Sequence, residues 1–404
     1  QVDAPGVSDT EIRYTIVATE ANNPLGTCVM QCYAAGIKAY FDWRNSEEDG
    51  IYGRQLVISD VIDDEFTRNQ EKTLEIVSAN DTFGVFVATS IPSGFPDLYG
   101  ARVPTYVHTQ SPEAMTGIET LWGNREVWCN GCPLRVGALV SEFTGATRVA
   151  TLGYGVSSSS QECASGMEDA IDTARTEIGG AKVVYKNDEL AFGLPNGVGP
   201  EVSAMKDAGV DLVIGCLDLN GMKTISDEMT RQAMADVPML HNNTYDADFV
   251  AAANGAFEGD YVQVQTRPFE AESGASSLDV YKRYMAKAGE PFTEMSMVGW
   301  INADLAYQGL KAAGPDFDRE KVISATNQMT AYTAGGLTLP IDWSRQHEPR
   351  TIDDPVTHGP AQDCSVLVKV VDGTFEMVGD VNKPWYCWPG DTDAWSEPIQ
   401  TNFD

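Results

Sequence analysis

The sequence predicts an α/β protein built of two similar lobes, each a doubly wound, mostly parallel sheet. Three observations predict it. The chain has 404 residues, well beyond the ~100–200 of a single domain, so two lobes are the first expectation. Short β-rich runs alternate with helical stretches, the pattern that buries a parallel sheet between helices. The alternation then restarts in the middle of the chain, at Arg148, with no long linker or low-complexity tract before it.

The first element is a β-rich run from Ile12 to Val17. A polar loop, Glu20 to Pro24, leads from it into a helix carrying Cys32, Ala35, Ile37 and Tyr40 on its apolar face. Asp49-Gly50 ends that helix, and Tyr52-Gly53-Arg54 turns the chain into a strand from Gln55 to Ser59, completing a first βαβ unit. A helix with apolar Phe66, Leu74, Ile76 and Val77 follows, then a strand at Gly84 to Ala88, a Thr89-to-Ser93 loop and a strand at Val103 to His108. After the restart come a strand at Arg148 to Leu152, a polar loop from Gly153 to Ser160 and a helix from Gln161 to Ile178 opened by serines, which are good N-caps. Further strands are expected at 182–185, 212–216, 238–241 and 260–265, with helices around 202–208, 223–235, 276–288 and 298–313. The stretch from Ile341 onward reads as strand and loop.

Composition narrows the function. There are 59 acidic against 27 basic residues, a formal charge of -32. Such a surface repels phosphate backbones and anionic headgroups, so nucleic-acid and membrane-surface binding are poor readings. No apolar run approaches the ~18 residues that cross a bilayer. The N-terminus, Gln-Val-Asp-Ala-Pro, lacks a basic start followed by an apolar stretch, so any secretion signal is expected to have been removed already. Eight cysteines, an even set, fit disulfides formed outside the cytoplasm, with buried thiols as the competing reading. Spacing leaves their pairing open.

Motifs for chemistry are weak. Cys129-Asn130-Gly131-Cys132 has redox-pair spacing, but the reactive version sits at a helix start behind a strand of a small βαβ domain. A structural bond is the better reading, with Cys28 or Cys32 as candidate partners; a thiol-disulfide enzyme is the alternative. His108, His241, His347 and His358 are dispersed, and no second CxxC or HxxxH completes a zinc set. The run Gly193 to Gly199 lacks the Lys-Ser/Thr of a P-loop, and Ser157 to Ser160 have no assigned His and acid to activate a nucleophile. Asp391 and Asp393 lack the remaining positions of a calcium loop.

A series of segments in order carries a resemblance. It runs from Glu11-Ile12 through Gly50-Ile51-Tyr52-Gly53-Arg54, the acidic Asp60 to Asp64, Gly84 to Ser90 and Ala208 to Ile214. It continues through Ala256-Phe257-Glu258-Gly259, Tyr281 to Gly289, Ala312-Ala313-Gly314, Thr333 to Leu337 and Val370 to Phe375. In these the chain resembles the leucine/isoleucine/valine-binding proteins, the branched-chain amino-acid and amide branch of the type I periplasmic binding proteins. The resemblance implies two Rossmann-like lobes joined by three crossover segments, near Val127 to Cys129, Gln265 to Pro268 and Leu337 to Pro340. The lobes would be residues 1–128 with 266–337 and residues 129–265 with 338–404. It further implies an extracytoplasmic monomer, free or lipid-anchored before processing, that closes on a small organic ligand and presents it to the permease of an ABC importer. No enzyme activity, cofactor or metal is implied. A sensor ectodomain is the alternative within the fold.

In open parallel sheets the ligand sits beyond the carboxyl ends of strands. Thr89 and Ser90 resemble the family's carboxylate-holding loop, and Gln110 and Ser111 stand where the family often has a small hydroxyl residue. Glu20 and Asn22 complete that wall. From the other lobe come Asp218 and Asn220, then Asn242, Asn243 and Tyr245. Where amino-acid binders carry an acidic residue to meet the ligand ammonium, this chain reads His241-Asn242-Asn243-Thr244, so that role would fall to Asp218, Glu20 or Asp246. Tyr154, Trp122, Trp128 and Trp300 are candidates for flat apolar walls, with core packing as the competing role. A polar or polar-aromatic ligand is expected, with amino acids, amides and aromatic carboxylates all open.

Overall fold

A computed structural model describes residues 2–108, 112–127, 131–348, 364–387 and 400–401 of the chain. In the first lobe β1 (Glu11–Ala18) is buried continuously from Tyr14 onward, as a central parallel strand must be. After α1 (Met30–Glu48), β2 (Gln55–Asp63) pairs with one side of β1 as an edge strand. α2 (Asn69–Ala79), β3 (Gly84–Ala88), α3 (Phe95–Gly100), β4 (Thr105–Val107), α4 (Pro112–Met115) and β5 (Leu121–Gly123) follow. The strands lie in the order β2-β1-β3-β4-β5, all parallel.

The chain then enters the second lobe. α5 (Val136–Thr144), β6 (Arg148–Tyr154), α6 (Ser158–Thr173), β7 (Lys182–Leu190), α7 (Gly199–Asp207), β8 (Leu212–Cys216), α8 (Leu219–Arg231), β9 (Met239–His241), α9 (Ala247–Ala252) and β10 (Tyr261–Val264) repeat the alternation. It returns to the first lobe for α10 (Leu278–Ala288), α11 (Glu294–Ala313) and α12 (Arg319–Thr326), of which α10 and α11 pack on α1. It ends on the second sheet with β11 (Cys364–Val371), β12 (Thr374–Met377), β13 (Tyr386–Cys387) and β14 (Gln400–Thr401). That sheet runs β14-β13-β11-β10-β9-β8-β6-β7, parallel from β7 to β10, with β11 antiparallel to β10 and β12 hairpinned onto β11. Two doubly wound lobes are therefore present, as expected.

Glycine decides how α11 meets α1. A Cβ on Gly36 would lie 1.8 Å from the Ser296 carbonyl oxygen, and one on Gly299 would lie 2.2 Å from that of Tyr33. Only bare backbones approach so closely. This contact sinks α11 into the lobe, where Trp300 stacks on Trp43 at 5.6 Å and meets Tyr40 and Tyr281 edge-on.

Several expectations need correction. Phe66 is not helical: Glu65 and Phe66 adopt positive φ (51° and 74°), and the side chains of Asp63 and Asp64 accept their N–H groups. β5, α5, α9 and α12 were not expected; β5 and α9 are too short to show periodicity, and α5 is apolar through most of its length. The first core extends past residue 337, because Tyr332 and Ile341 pair across a turn and Trp343 donates its N–H to Met329, burying Ile341 and Trp343 in that core. Cys28 and Cys32 bond to each other rather than to the CxxC pair. The other described disulfides are Cys163–Cys216 and Cys364–Cys387. Cys132 is buried and disulfide-bonded, while Cys129 lies outside the described residues.

Candidate functional site

β6 and β8 end side by side in the second sheet, and the loops beyond them build one wall of a cavity. At the end of β6, Tyr154 donates its hydroxyl to the Asp218 carboxylate, the residue that opens α8 after β8. Gly221 makes room for that bond, since a Cβ there would fall 2.2 Å from the Tyr154 oxygen. Burial, reinforced by the anionic acceptor, raises the phenol well above its ordinary ionisation range. Phe192 meets the Tyr154 ring at 5.1 Å, and Leu217 and Leu219 continue the apolar face.

The serines divide their work. Ser157 caps α6 by accepting the Ser160 N–H. The Ser160 hydroxyl accepts the Tyr154 N–H at 2.7 Å and donates to the Cys216 carbonyl at 2.6 Å, tying β6 to β8. Ser159 lines the cavity. Beyond β9, the Asn242 amide nitrogen lies 2.6 Å and 3.3 Å from the sulfurs of Cys163 and Cys216, which leaves its buried Oδ1 with no protein donor. Asn243 donates to the Leu217 carbonyl. The preceding His241 is wholly internal, bridging Thr244 and Asp260, a carboxylate whose ionisation burial pushes upward.

The opposite wall belongs to the first lobe: Leu25, Thr27, His108, Arg125, Glu126, Glu294 and Met295. Between the walls lies a cavity of about 370 Å³, also lined by Gln263 in β10 and Gln265 just after it. Glu294 is placed by the capping box of α11, in which Thr293 and Ser296 satisfy each other's backbone N–H groups. Its Oε1 is buried without a donor. Burial raises the Glu294 carboxyl to about 7, against the opposing pull of Arg125 and the Gln265 N–H, with Asp246 adding to the rise. Burial likewise lowers Arg125 to about 10, and burial with the Arg125 charge lowers His108 to about 4, so the imidazole is neutral at pH 7.

Of the residues expected from sequence, Tyr154, Asp218, Asn242 and Asn243 line this cavity together. The other described ones do not line it. Thr89 is buried and accepts the Ile91 N–H within its own loop, and Ser90 is exposed. Glu20 is exposed and bound to Gln31, and Asn22 reaches the Glu65 carbonyl. Asn220 is exposed on α8, and Tyr245 is internal, donating to Glu270 at 2.6 Å. Trp300 and Trp122 are core residues, the latter donating to Asn327. Gln110, Ser111 and Trp128 lie outside the described residues. Asp246 caps α9 and accepts the Thr27 hydroxyl. Sequence reading missed Arg125, Glu126, Glu294 and Phe192. For Glu294 a signal existed: it directly follows Thr293, a good cap for the expected helix that carries Trp300. Among the described residues no group of three or more His, Cys, Asp or Glu is set to hold a metal, and no helix is long and apolar enough to cross a membrane.

Two parallel-sheet lobes facing one another across a lined cavity define a bilobal binding protein of type I periplasmic architecture. The family model for periplasmic binding proteins matches residues 24–373, and the chain belongs to that family of solute-binding proteins, in keeping with the resemblance seen in its sequence. Solved structures agree in fold. The chain is similar to a branched-chain amino acid ABC transporter protein from Thermus thermophilus with bound valine (18% identity, 92% of this chain and 96% of that one covered, TM-score 0.68). It is similar to a fatty acid ABC transporter substrate-binding protein from Thermomonospora curvata (16%, 98% and 97%, TM-score 0.70). It is also similar to LivJ from Streptococcus pneumoniae in complex with isoleucine (14%, 91% and 99%, TM-score 0.70). No curated protein matches the sequence significantly.

Proposed function

We propose that the protein captures a small organic molecule in the cavity between its lobes and delivers it to an ABC importer outside the cytoplasm, acting as a monomer and without catalysis. The observation that carries the proposal is the cavity itself: both lobes line it, so a ligand that touches both favours the closed arrangement. Its lining combines an apolar, partly aromatic face with a charged pole. That suits a molecule with an apolar or aromatic body and one polar head. From the set expected by sequence, Tyr154, Asp218, Asn242 and Asn243 are the contacts we assign. The lobes are taken as residues 1–128 with 266–343 and the remainder. Disulfides fit an oxidising compartment.

The relatives in fold carry printed ligands as different as valine, isoleucine and fatty acid, so this chain's ligand has to be argued from its own lining. The thiol-disulfide reading loses ground because Cys132 is buried and bonded, whereas a redox thiol must be reachable. A thermal-shift screen of the purified protein against amines, amino acids, amides, aromatic carboxylates, sugars and nucleosides tests the proposal. Saturating ligand at a hundredfold Kd stabilises by about 2.7 kcal/mol. A ligand whose shift disappears on lining the cavity with Asn243→Trp supports it. A screen in which every ligand leaves the melt unchanged argues against solute capture.

A further inference from the structure

Two buried acceptors belong to residues that line the cavity from opposite lobes, and neither has a donor from the protein. Glu294 Oε1 comes from the start of α11, and Asn242 Oδ1 from the loop after β9. The Asn242 amide nitrogen faces the Cys163–Cys216 disulfide. Buried acceptors are rarely left unmatched, and a ligand that supplies N–H donors removes both deficits at once.

Charge points the same way. Among the described lining residues two guanidiniums, Arg125 and Arg135, stand against three carboxylates, Glu126, Asp218 and Glu294. His108 adds no charge at pH 7. The lining therefore carries one negative charge in excess when its carboxylates are ionised. A carboxylate-headed ligand would set its oxygens against those of Glu294 and Asn242 and worsen the excess. A monocation cancels it.

On the reading of the cavity as a solute site, we infer that the solute is a cationic amine with an apolar or aromatic body, its ammonium shared between Glu294 Oε1 of the first lobe and Asn242 Oδ1 of the second. The body lies along Tyr154, Phe192, Leu217, Leu219 and Met295. Glu294 and Asn242 are thus the specificity-determining pair, and the amine is the group that draws the two lobes together.

Titration calorimetry with two probes of matched body tests this: 2-phenylethylamine and hydrocinnamate. The amine is expected to bind at least about tenfold more tightly. Glu294→Gln is expected to weaken the amine roughly ten- to a hundredfold, the range for removing one partner of a buried charged hydrogen bond. The melting temperature of each unliganded variant shows that it is folded, and Asn242→Leu provides a second, independent loss of amine affinity. Equal or tighter binding of hydrocinnamate overturns the inference while leaving solute capture standing. So does amine binding that is indifferent to both substitutions. Failure of the amine to bind also overturns it, and solute capture then rests on the broader screen.

Discussion

Replacing Glu294 with Gln is expected to stabilise the unliganded protein at neutral pH, by an amount that depends on pH. The substitution keeps the side chain's size and one carbonyl oxygen but removes the ionisation. The carboxyl ionises near 7 in the fold against an ordinary value of 4.5, chiefly because it is buried, with Asp246 adding to the rise and Arg125 and the Gln265 N–H resisting it. At ~1.4 kcal/mol for each tenfold change in ionisation constant, the folded state loses about 3 kcal/mol by forcing this group to ionise. The sign follows from the raised value. Below pH 4.5 the group is protonated in both states and the loss is absent. It grows as pH rises and is complete just above 7. Paired thermal melts of wild type and variant from pH 4 to 8 measure it. The two should melt together near pH 4.5, and the variant should melt on the order of 5 °C higher by pH 8, taking ~2 °C per kcal/mol for a chain of this size. A difference that does not change with pH, or a variant less stable at pH 8, refutes the argument.

Gly299→Ala places a methyl 2.2 Å from the Tyr33 carbonyl and should cost about 2–3 kcal/mol in urea unfolding, with α11 displaced from α1. Converting both Cys163 and Cys216 to Ala opens a link of 53 residues and should cost about 4 kcal/mol by loop entropy. The same change frees the Asn242 amide, so ligand affinity should fall together with the melting temperature. Tyr154→Phe deprives Asp218 of its phenol donor; about 1–2 kcal/mol of stability should be lost, measured by urea titration.

The architecture was legible because it depends on local rules. Strands such as Gly84–Ala88 and Leu212–Cys216 are continuous apolar runs, and the helices between them carry readable faces and caps. The second wall of the site was partly legible for the same reason: Tyr154 closes one strand, and Asp218 and Asn242 follow others, of a single sheet whose parallel topology brings these ends together. The first wall was not. Thr89 and Ser90 follow a strand of the first sheet, but Thr89 accepts the Ile91 N–H within its own loop, Ser90 is exposed, and neither is among the described lining residues. The polar pole is supplied instead by the neutral His108 just after β4, by the charged Arg125 and Glu126 after β5, and by Glu294 on a helix more than 160 residues further along the chain. No local pattern reveals that these meet. Trp300 was misleading in the opposite way. It lies at the start of an expected helix, but Gly36 and Gly299 let that helix sink until the indole is enclosed by Tyr40, Trp43 and Tyr281.

The division of labour between the walls bears on how binding drives closure. Tyr154, Asp218, Phe192 and Leu217 are braced within the second lobe by bonds that need nothing from the first, so that face is preformed. Glu294 and Asn242, by contrast, each hold a buried acceptor with no donor from the protein, one on each lobe. A ligand that satisfied only one lobe would bind open and closed arrangements alike and shift nothing. A head group that reaches both acceptors binds the closed arrangement better by whatever the second contact contributes, and only that difference moves the lobes. The preformed face then sets which bodies fit, while the split pair decides which of those that fit can close the protein.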